Sequence, residues 1–187
     1  MKINDPEVRV LAGLSQAMMG ESLGDEARWE GSPFAWIRSR PSRAKGAIAE
    51  RLVAGWLATK NFNVVRSPDS DADRIVEGKR AEIKFSTLWE NDGYTFQQFR
   101  DQDYDVAICL GVSPFHASCW AIPKKEILRQ WRGGAGGLRA QHGGAGGSDT
   151  AWLTFPAAAP PHWLAGYGGT LLEGAESLAR LAGNRPF

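Results

Sequence analysis

The sequence predicts an α/β fold in which a mixed central β-sheet is flanked by helices. The first observation behind this class is an amphipathic helix early in the chain, and the second is a series of short apolar runs after it. The third is a further helical stretch behind those runs. The predicted order is helix, three strands, helix, two strands, helix, which suits a sheet with helices packed on its faces. A chain of 187 residues has room for one such domain.

The first core element is a helix predicted over residues 43–59. Pro41 precedes it, and Ser42 is expected to be its N-cap. Apolar residues recur along it at helical spacing, as Ile48, Leu52, Val53, Trp56 and Leu57. Glu50 borders that apolar stripe. It is either turned into a cleft or an ordinary charged flank of the helix.

Three strands are predicted next, over residues 62–66, 73–77 and 80–86. Residues 95–102 are expected to form a short polar helix. The apolar run at 106–110 predicts a buried strand, with another at 118–122 and a helix at 124–131. The first thirty residues are also expected to be helical. Together these elements assign residues 1–187 to a single domain whose core covers about residues 42–131.

Charged side chains converge on the second and third strands. If Glu77 and Gly78 form a two-residue turn, then Asp73 lies opposite Glu82. Because side chains alternate along a strand, Asp73, Glu82 and Lys84 then project from one face. A turn at residues 78–79 keeps this arrangement, whereas a three-residue loop would break it.

Two carboxylates and an ammonium on one face have a chemical use. Facing carboxylates repel each other unless a proton or a cation lies between them, and Mg²⁺ is a natural bridge. A neighbouring lysine can position the attacking water and stabilise charge on phosphorus. The pattern therefore favours phosphodiester hydrolysis. The alternative is a surface hairpin with exposed ion pairs worth about 0.2–1 kcal/mol each.

The order of these elements resembles the PD-(D/E)xK nuclease superfamily over residues 42–122. Within it, type II restriction endonuclease-like proteins are similar to the stretches ADRIVEGKRAEIKFSTLWEND and FQQFRDQDYDVAICLGVSP. The resemblance implies a restriction endonuclease-like core, with Asp73 and Glu82 as Mg²⁺ ligands and Lys84 as the catalytic lysine. It further implies that Glu50 is an accessory catalytic carboxylate.

The sequence departs from the family's pattern in one respect. The Pro-Asp pair is Pro68-Asp69, whereas the aspartate selected by the hairpin count, Asp73, follows Ala72. Asp69 and Asp71 therefore remain rivals of Asp73 for the first ligand position.

Basic residues cluster in two stretches, although the net charge is only +1. Residues 38–51 and residues 124–139 are rich in Lys and Arg. They are expected either to flank one DNA groove and contact phosphates or to be two solvated helix faces. The predicted DNA contacts are Arg43, Lys45, Gln97, Gln98, Lys124, Lys125 and His142. For His142 the alternative is a solvated loop residue.

Glycine and aromatic residues mark the remaining segments. Residues 133–147 are mostly Gly and Ala and are expected to form a mobile surface loop. From Thr150 onward the chain is expected to pack on the core as an aromatic strap. Cys109 and Cys119 cannot make a disulfide framework and are expected to be small buried hydrophobes. The chain shows no membrane-spanning run and no apolar signal core, so a cytoplasmic location is expected.

The residues and the resemblance together imply a Mg²⁺-dependent endonuclease that acts on double-stranded DNA, with a restriction enzyme as the first choice. A homodimer is expected, since two-fold DNA sites suit two-fold proteins. One alternative is a structure-specific nuclease, such as a junction resolvase or a repair enzyme. Another is a catalytically silent DNA-binding subunit on the same scaffold.

Overall fold

A computed structural model of the chain describes residue 12 and residues 25–134, 137–141 and 149–183. Within these residues the helices are α1 (Ala35–Arg38), α2 (Ser42–Thr59), α3 (Lys124–Gly133) and α4 (Leu171–Ala182). The strands are β1 (Val64–Arg66), β2 (Arg74–Val76), β3 (Lys79–Thr87), β4 (Gly93–Phe99), β5 (Val106–Val112), β6 (Ala117–Pro123), β7 (Leu138–Gln141) and β8 (Thr150–Pro156). A 3₁₀ turn covers His162–Gly166.

The central sheet has the strand order β1-β2-β3-β5-β6. β3 and β5 run parallel, while the other neighbours are antiparallel, so the sheet is mixed. β5 lies inside the sheet and every one of its residues is buried, as its apolar run predicts. The predicted α/β class with a mixed central sheet and flanking helices is confirmed.

A second, antiparallel sheet with the order β4-β8-β7 packs on the first. Aromatic rings join the two layers: Tyr94, Phe96 and Phe155 from the second sheet surround Trp120 of β6. The closest centroids, those of Trp120 and Phe155, are 5.3 Å apart. Gly111 of β5 is required at this interface, because a Cβ there would lie 2.9 Å from the Tyr94 ring. This interface holds β4 against β3, beside the site described below.

Two helices cover the central sheet. α2 contacts β3 and buries Ala49, Val53 and Leu57, so the predicted helix is confirmed. Ser42 is not its N-cap: it is the first helical residue, and Pro41 occupies the cap without a side-chain hydrogen bond. α4 contacts β6 and begins at a capping box between Thr170 and Glu173.

Three predicted elements are wrong in part. Residues 95–102 are not a helix, because residues 93–99 form β4, whose aromatic side chains fill the space between the sheets. The glycine-rich stretch includes β7, at residues 138–141. The segment from Thr150 is more than a strap, since it supplies β8, the central strand of the second sheet, and then α4. The predicted N-terminal helix lies mostly outside the described residues, as do residues 142–148.

Both cysteines are free and buried, as predicted. They lie on adjacent strands, but Cys109 pairs with Trp120 and Cys119 with Leu110, so they face opposite sides of the sheet. Burial raises the pKa of the Cys119 thiol to about 12. None of the helices in the part of the chain that the structure describes has the length and apolar character of a membrane span.

Candidate active site

The β2–β3 hairpin has the predicted register. Val76 pairs with Lys79 across a turn made of Glu77 and Gly78, which both have positive φ, 49° and 78°. That backbone is typical of a type I′ turn, which matches the twist of the flanking strands. The regular ladder ends one step before Asp73, at the pair Arg74 and Ala81.

Asp73 extends the pairing of the hairpin beyond the regular ladder through one main-chain and one side-chain hydrogen bond. Its N–H donates to the Ala81 carbonyl at 3.0 Å, and its Oδ2 accepts the N–H of Ile83 at 2.7 Å. A carboxylate oxygen thus satisfies a main-chain donor of β3 that the shortened β2 does not reach. These two bonds fix Asp73 beside Glu82, the neighbour predicted from the count along the strands.

Glu82 and Lys84 form an ion pair on β3. Lys84 Nζ lies 2.6 Å from Glu82 Oε1, and the two side chains are 12% and 14% exposed. Burial raises the pKa of Glu82, Lys84 lowers it in part, and the charge of Asp73 raises it again. The Phe99 ring lies behind the ammonium, 5.7 Å from Nζ. The pair is therefore held in a partly desolvated setting where charges interact strongly.

Glu50 of α2 forms an ion pair with Arg74 of β2, the chain neighbour of Asp73. Its Oε2 lies 3.0 Å from Arg74 Nη1. Burial raises the pKa of Glu50, the charge of Asp73 raises it further, and Arg74 opposes both. Asp73 thus acts electrostatically on Glu50 and on Glu82. The part of Arg74 was not predicted, because its partner lies on a distant helix and no local pattern signals the pairing.

Of the two rival aspartates, Asp69 is engaged elsewhere. Asp69 forms an ion pair with Arg80 at 2.6 Å, which lowers the pKa of the Asp69 carboxyl. Asp69 Oδ1 also accepts the N–H of Asp71. Of the three aspartates, Asp73 is the one whose charge acts on Glu50 and Glu82.

A cleft of about 800 Å³ adjoins this cluster at Lys84. It lies between the start of α2, the second half of β3 with the turn that follows, and β4. Among the described residues that line it, cations outnumber anions, and Glu90 is the one acid. The lining residues are Arg38, Ser42, Arg43, Lys45, Gly46, Ile83, Lys84, Phe85, Ser86, Thr87, Leu88, Trp89, Glu90, Asn91, Thr95, Gln97 and Gln98.

Of the predicted DNA contacts, Arg43, Lys45, Gln97 and Gln98 lie on the walls of this cleft. Lys124 and Lys125 do not. Lys124 Nζ lies 2.8 Å from Asp101 Oδ1 and donates to the Gln102 carbonyl, at the end of β6. Among the residues that the structure describes, none of the second basic stretch lines the cleft. His142 lies outside the described residues.

The donor set suits a hard cation. Asp73 Oδ2 and Glu82 Oε1 have hydrogen-bond partners, which leaves each carboxylate a second oxygen, and Mg²⁺ prefers such ligands while keeping several waters. Among the described residues, no three His, Cys, Asp or Glu side chains are grouped closely enough to hold a metal by themselves. Two carboxylates, with water and a substrate phosphate completing the shell, fit this arrangement.

No family model and no curated protein matches this sequence. Among solved structures, a bacterial homing endonuclease superposes with a TM-score of 0.45 at 14% identity, covering 69% of this chain and 87% of that chain. A superposition at this level leaves the activity of this chain to be argued from its own residues.

Proposed function

We propose that this protein is a Mg²⁺-dependent endonuclease that hydrolyses phosphodiester bonds in double-stranded DNA, as a type II restriction enzyme. The observation that carries the proposal is the cluster of Asp73, Glu82 and Lys84 at the edge of a cationic cleft. Lys84 and Glu82 form an ion pair of 2.6 Å, Asp73 accepts the N–H of Ile83 between them, and the charge of Asp73 acts on Glu82.

In this proposal Asp73 and Glu82 hold the cation. When bound, it would polarise a phosphoryl oxygen and lower the pKa of a bound water. Lys84 donates hydrogen bonds to the attacking water and to the phosphate oxygens, which places the nucleophile and stabilises the charge that develops on phosphorus. Glu50 has an accessory role beside Asp73, where Arg74 orients its carboxylate.

The cations that line the cleft favour the binding of a polyanionic substrate. Arg43 and Lys45 lie at the first turn of α2, and this turn carries no acidic residue. Neither side chain has an ion-pair partner among the described residues. Cations placed along one wall contact the phosphates of a strand, release counterions and so strengthen binding. A DNA strand bound along this wall would bring the scissile phosphate past Lys84.

Recognition of a sequence, rather than of a branched structure, is part of the proposal. The cleft offers uncharged amides beside its cations, and amides are suited to reading base edges. A two-fold symmetric site would be matched by a homodimer. Digestion of plasmid DNA tests this point, because discrete fragments support restriction and selective cutting of branched DNA supports a resolvase.

The test of the activity is incubation of supercoiled plasmid with wild type and Glu82→Gln, in Mg²⁺ and in EDTA. Wild type should cut in Mg²⁺ and not in EDTA, and Glu82→Gln should not cut. Glu77→Gln is the matched control: it makes the same change on the same hairpin, and its amide oxygen still accepts the N–H of Asn63. Cutting by wild type in EDTA, or by Glu82→Gln at the wild-type rate, would refute the proposal.

A further inference from the structure

Strand β4 contains a bulge beside the cleft. Phe96 pairs with Leu153 and Phe99 pairs with Ala151, so three steps along β4 match two steps along β8. The additional residue is accommodated where Gln98 has a positive φ of 59°. Residues other than glycine rarely adopt this conformation, and bulges of this kind change the direction of side chains.

The bulge turns two consecutive glutamines the same way. In a regular strand Phe96 and Phe99 would point to opposite faces, as would Gln97 and Gln98. Here both phenylalanines are fully buried, at 0% exposure, and both glutamines line the cleft. The Phe99 ring also lies against Lys84, so the same bulge supports the ammonium and presents the amides.

Both amides are available to a ligand. Within the described parts of the chain, neither side-chain amide is hydrogen-bonded to another residue. Each carries a donor and an acceptor and no charge. An unfavourable backbone that displays two unpaired amides in a cleft is the kind of local strain found at binding sites.

We propose that Gln97 and Gln98 determine sequence specificity by reading adenine in the DNA that this cleft binds; the inference rests on the proposed nuclease function. A glutamine amide can donate to N7 and accept from the N6 amino group of adenine in the major groove. The cations of the same cleft contact phosphates and fix the register of the duplex, while the amides read the bases.

The test is to sequence the fragment ends left by wild type, Gln97→Glu and Gln98→Glu on mixed plasmid DNA. A carboxylate can accept from cytosine N4 and has no donor for adenine N7. Wild type should require adenine at fixed positions near the cut. In each variant the preference for adenine should fall by about tenfold to hundredfold, and the preferred base should shift toward cytosine. Gln102→Glu, the same change outside the cleft, should keep the wild-type pattern.

Two further variants separate base reading from folding and from charge. Gln97→Ala and Gln98→Ala add no negative charge and should cut with relaxed sequence preference, while their circular dichroism stays that of wild type. An unchanged adenine preference in all four variants, or a wild-type pattern without adenine, overturns this inference and leaves the nuclease standing. If wild type fails to cut any DNA in Mg²⁺, the proposed function itself falls, and this inference with it.

Discussion

Two ion pairs on the same strand differ in what surrounds them. Arg80 and Asp69 meet at 2.6 Å near one end of β3, where Asp69 is 48% exposed. Lys84 and Glu82 meet at the same distance four residues along, where both are largely buried. The first pair lowers the pKa of its carboxyl, whereas in the second burial outweighs the lysine and raises it.

We propose that the pair of Arg80 with Asp69 is structural and that the pair of Lys84 with Glu82 is reactive. Arg80 also donates to the carbonyl of Asp103. The pair of Arg80 with Asp69, the outer pair, therefore connects two loops to β3, and its charges are already compensated. The pair of Lys84 with Glu82, the inner pair, has the charge of Asp73 acting on it, and Lys84 lines the cleft. A cation or a phosphate can therefore improve its energy, which is the condition for binding either one.

The largest expected effect is on cleavage. Lys84→Met should lower the rate of DNA cleavage by about 10²–10⁴-fold, since it removes the group that we propose positions the water and stabilises the phosphate. Arg80→Met makes the same change in the outer pair and should leave the rate unchanged. Single-turnover rates on a plasmid measure both. Equal losses in the two variants would mean that the inner pair is no more reactive than the outer one.

A smaller effect is expected on stability. Lys84→Met leaves Glu82 buried without its partner and should lower the free energy of unfolding by about 2 kcal/mol. Adding Glu82→Gln should recover most of that loss, because the uncompensated charge is then gone. Urea denaturation in EDTA measures the difference. A double variant no more stable than Lys84→Met would show that the carboxylate was not the cause.

The pH dependence of stability should have opposite signs at the two carboxylates. The pKa of Glu82 is raised in the folded state. The stability that this shift contributes is therefore fully present at low pH and is lost as pH rises above about 4.5. The pKa of Asp69 is lowered, so its contribution is present above about pH 3.8 and is lost on acidification.

The variants should show this directly in EDTA. Between about pH 3 and 7, Glu82→Gln should gain stability relative to wild type as pH rises, and Asp69→Asn should lose it. Urea denaturation at each pH gives both trends. Trends of the same sign in the two variants would contradict the assigned surroundings of one carboxylate.

Much of this site could be predicted from local sequence. The Glu77-Gly78 turn fixes the hairpin register, and period-two alternation then brings Glu82 and Lys84 to one face of β3. The apolar run of β5 identifies a buried strand. Such features depend on residues close together in the chain, which is why counting along the sequence was sufficient.

The second sheet could not be predicted in this way. In β4 the bulge at Gln98 interrupts the alternation of Tyr94, Phe96 and Phe99, so the pattern resembles a polar helix. β7 is hidden within glycine-rich sequence, whose composition does not favour strands, although its partner β8 begins only nine residues after β7 ends. The ion pair of Glu50 with Arg74 likewise joins a helix to a strand and leaves no local signal.

We propose above all that Asp73 and Glu82 together hold the cation on which DNA cleavage depends. The most direct test of this claim is the cleavage rate of plasmid DNA over a series of Mg²⁺ concentrations, for wild type, Asp73→Asn and Asp69→Asn. The amide of Asp73→Asn can still accept the N–H of Ile83, so this variant removes charge and spares the hairpin. Wild type and Asp69→Asn should saturate alike, and Asp73→Asn should stay inactive throughout. An Asp73→Asn protein that cuts like wild type would contradict the claim.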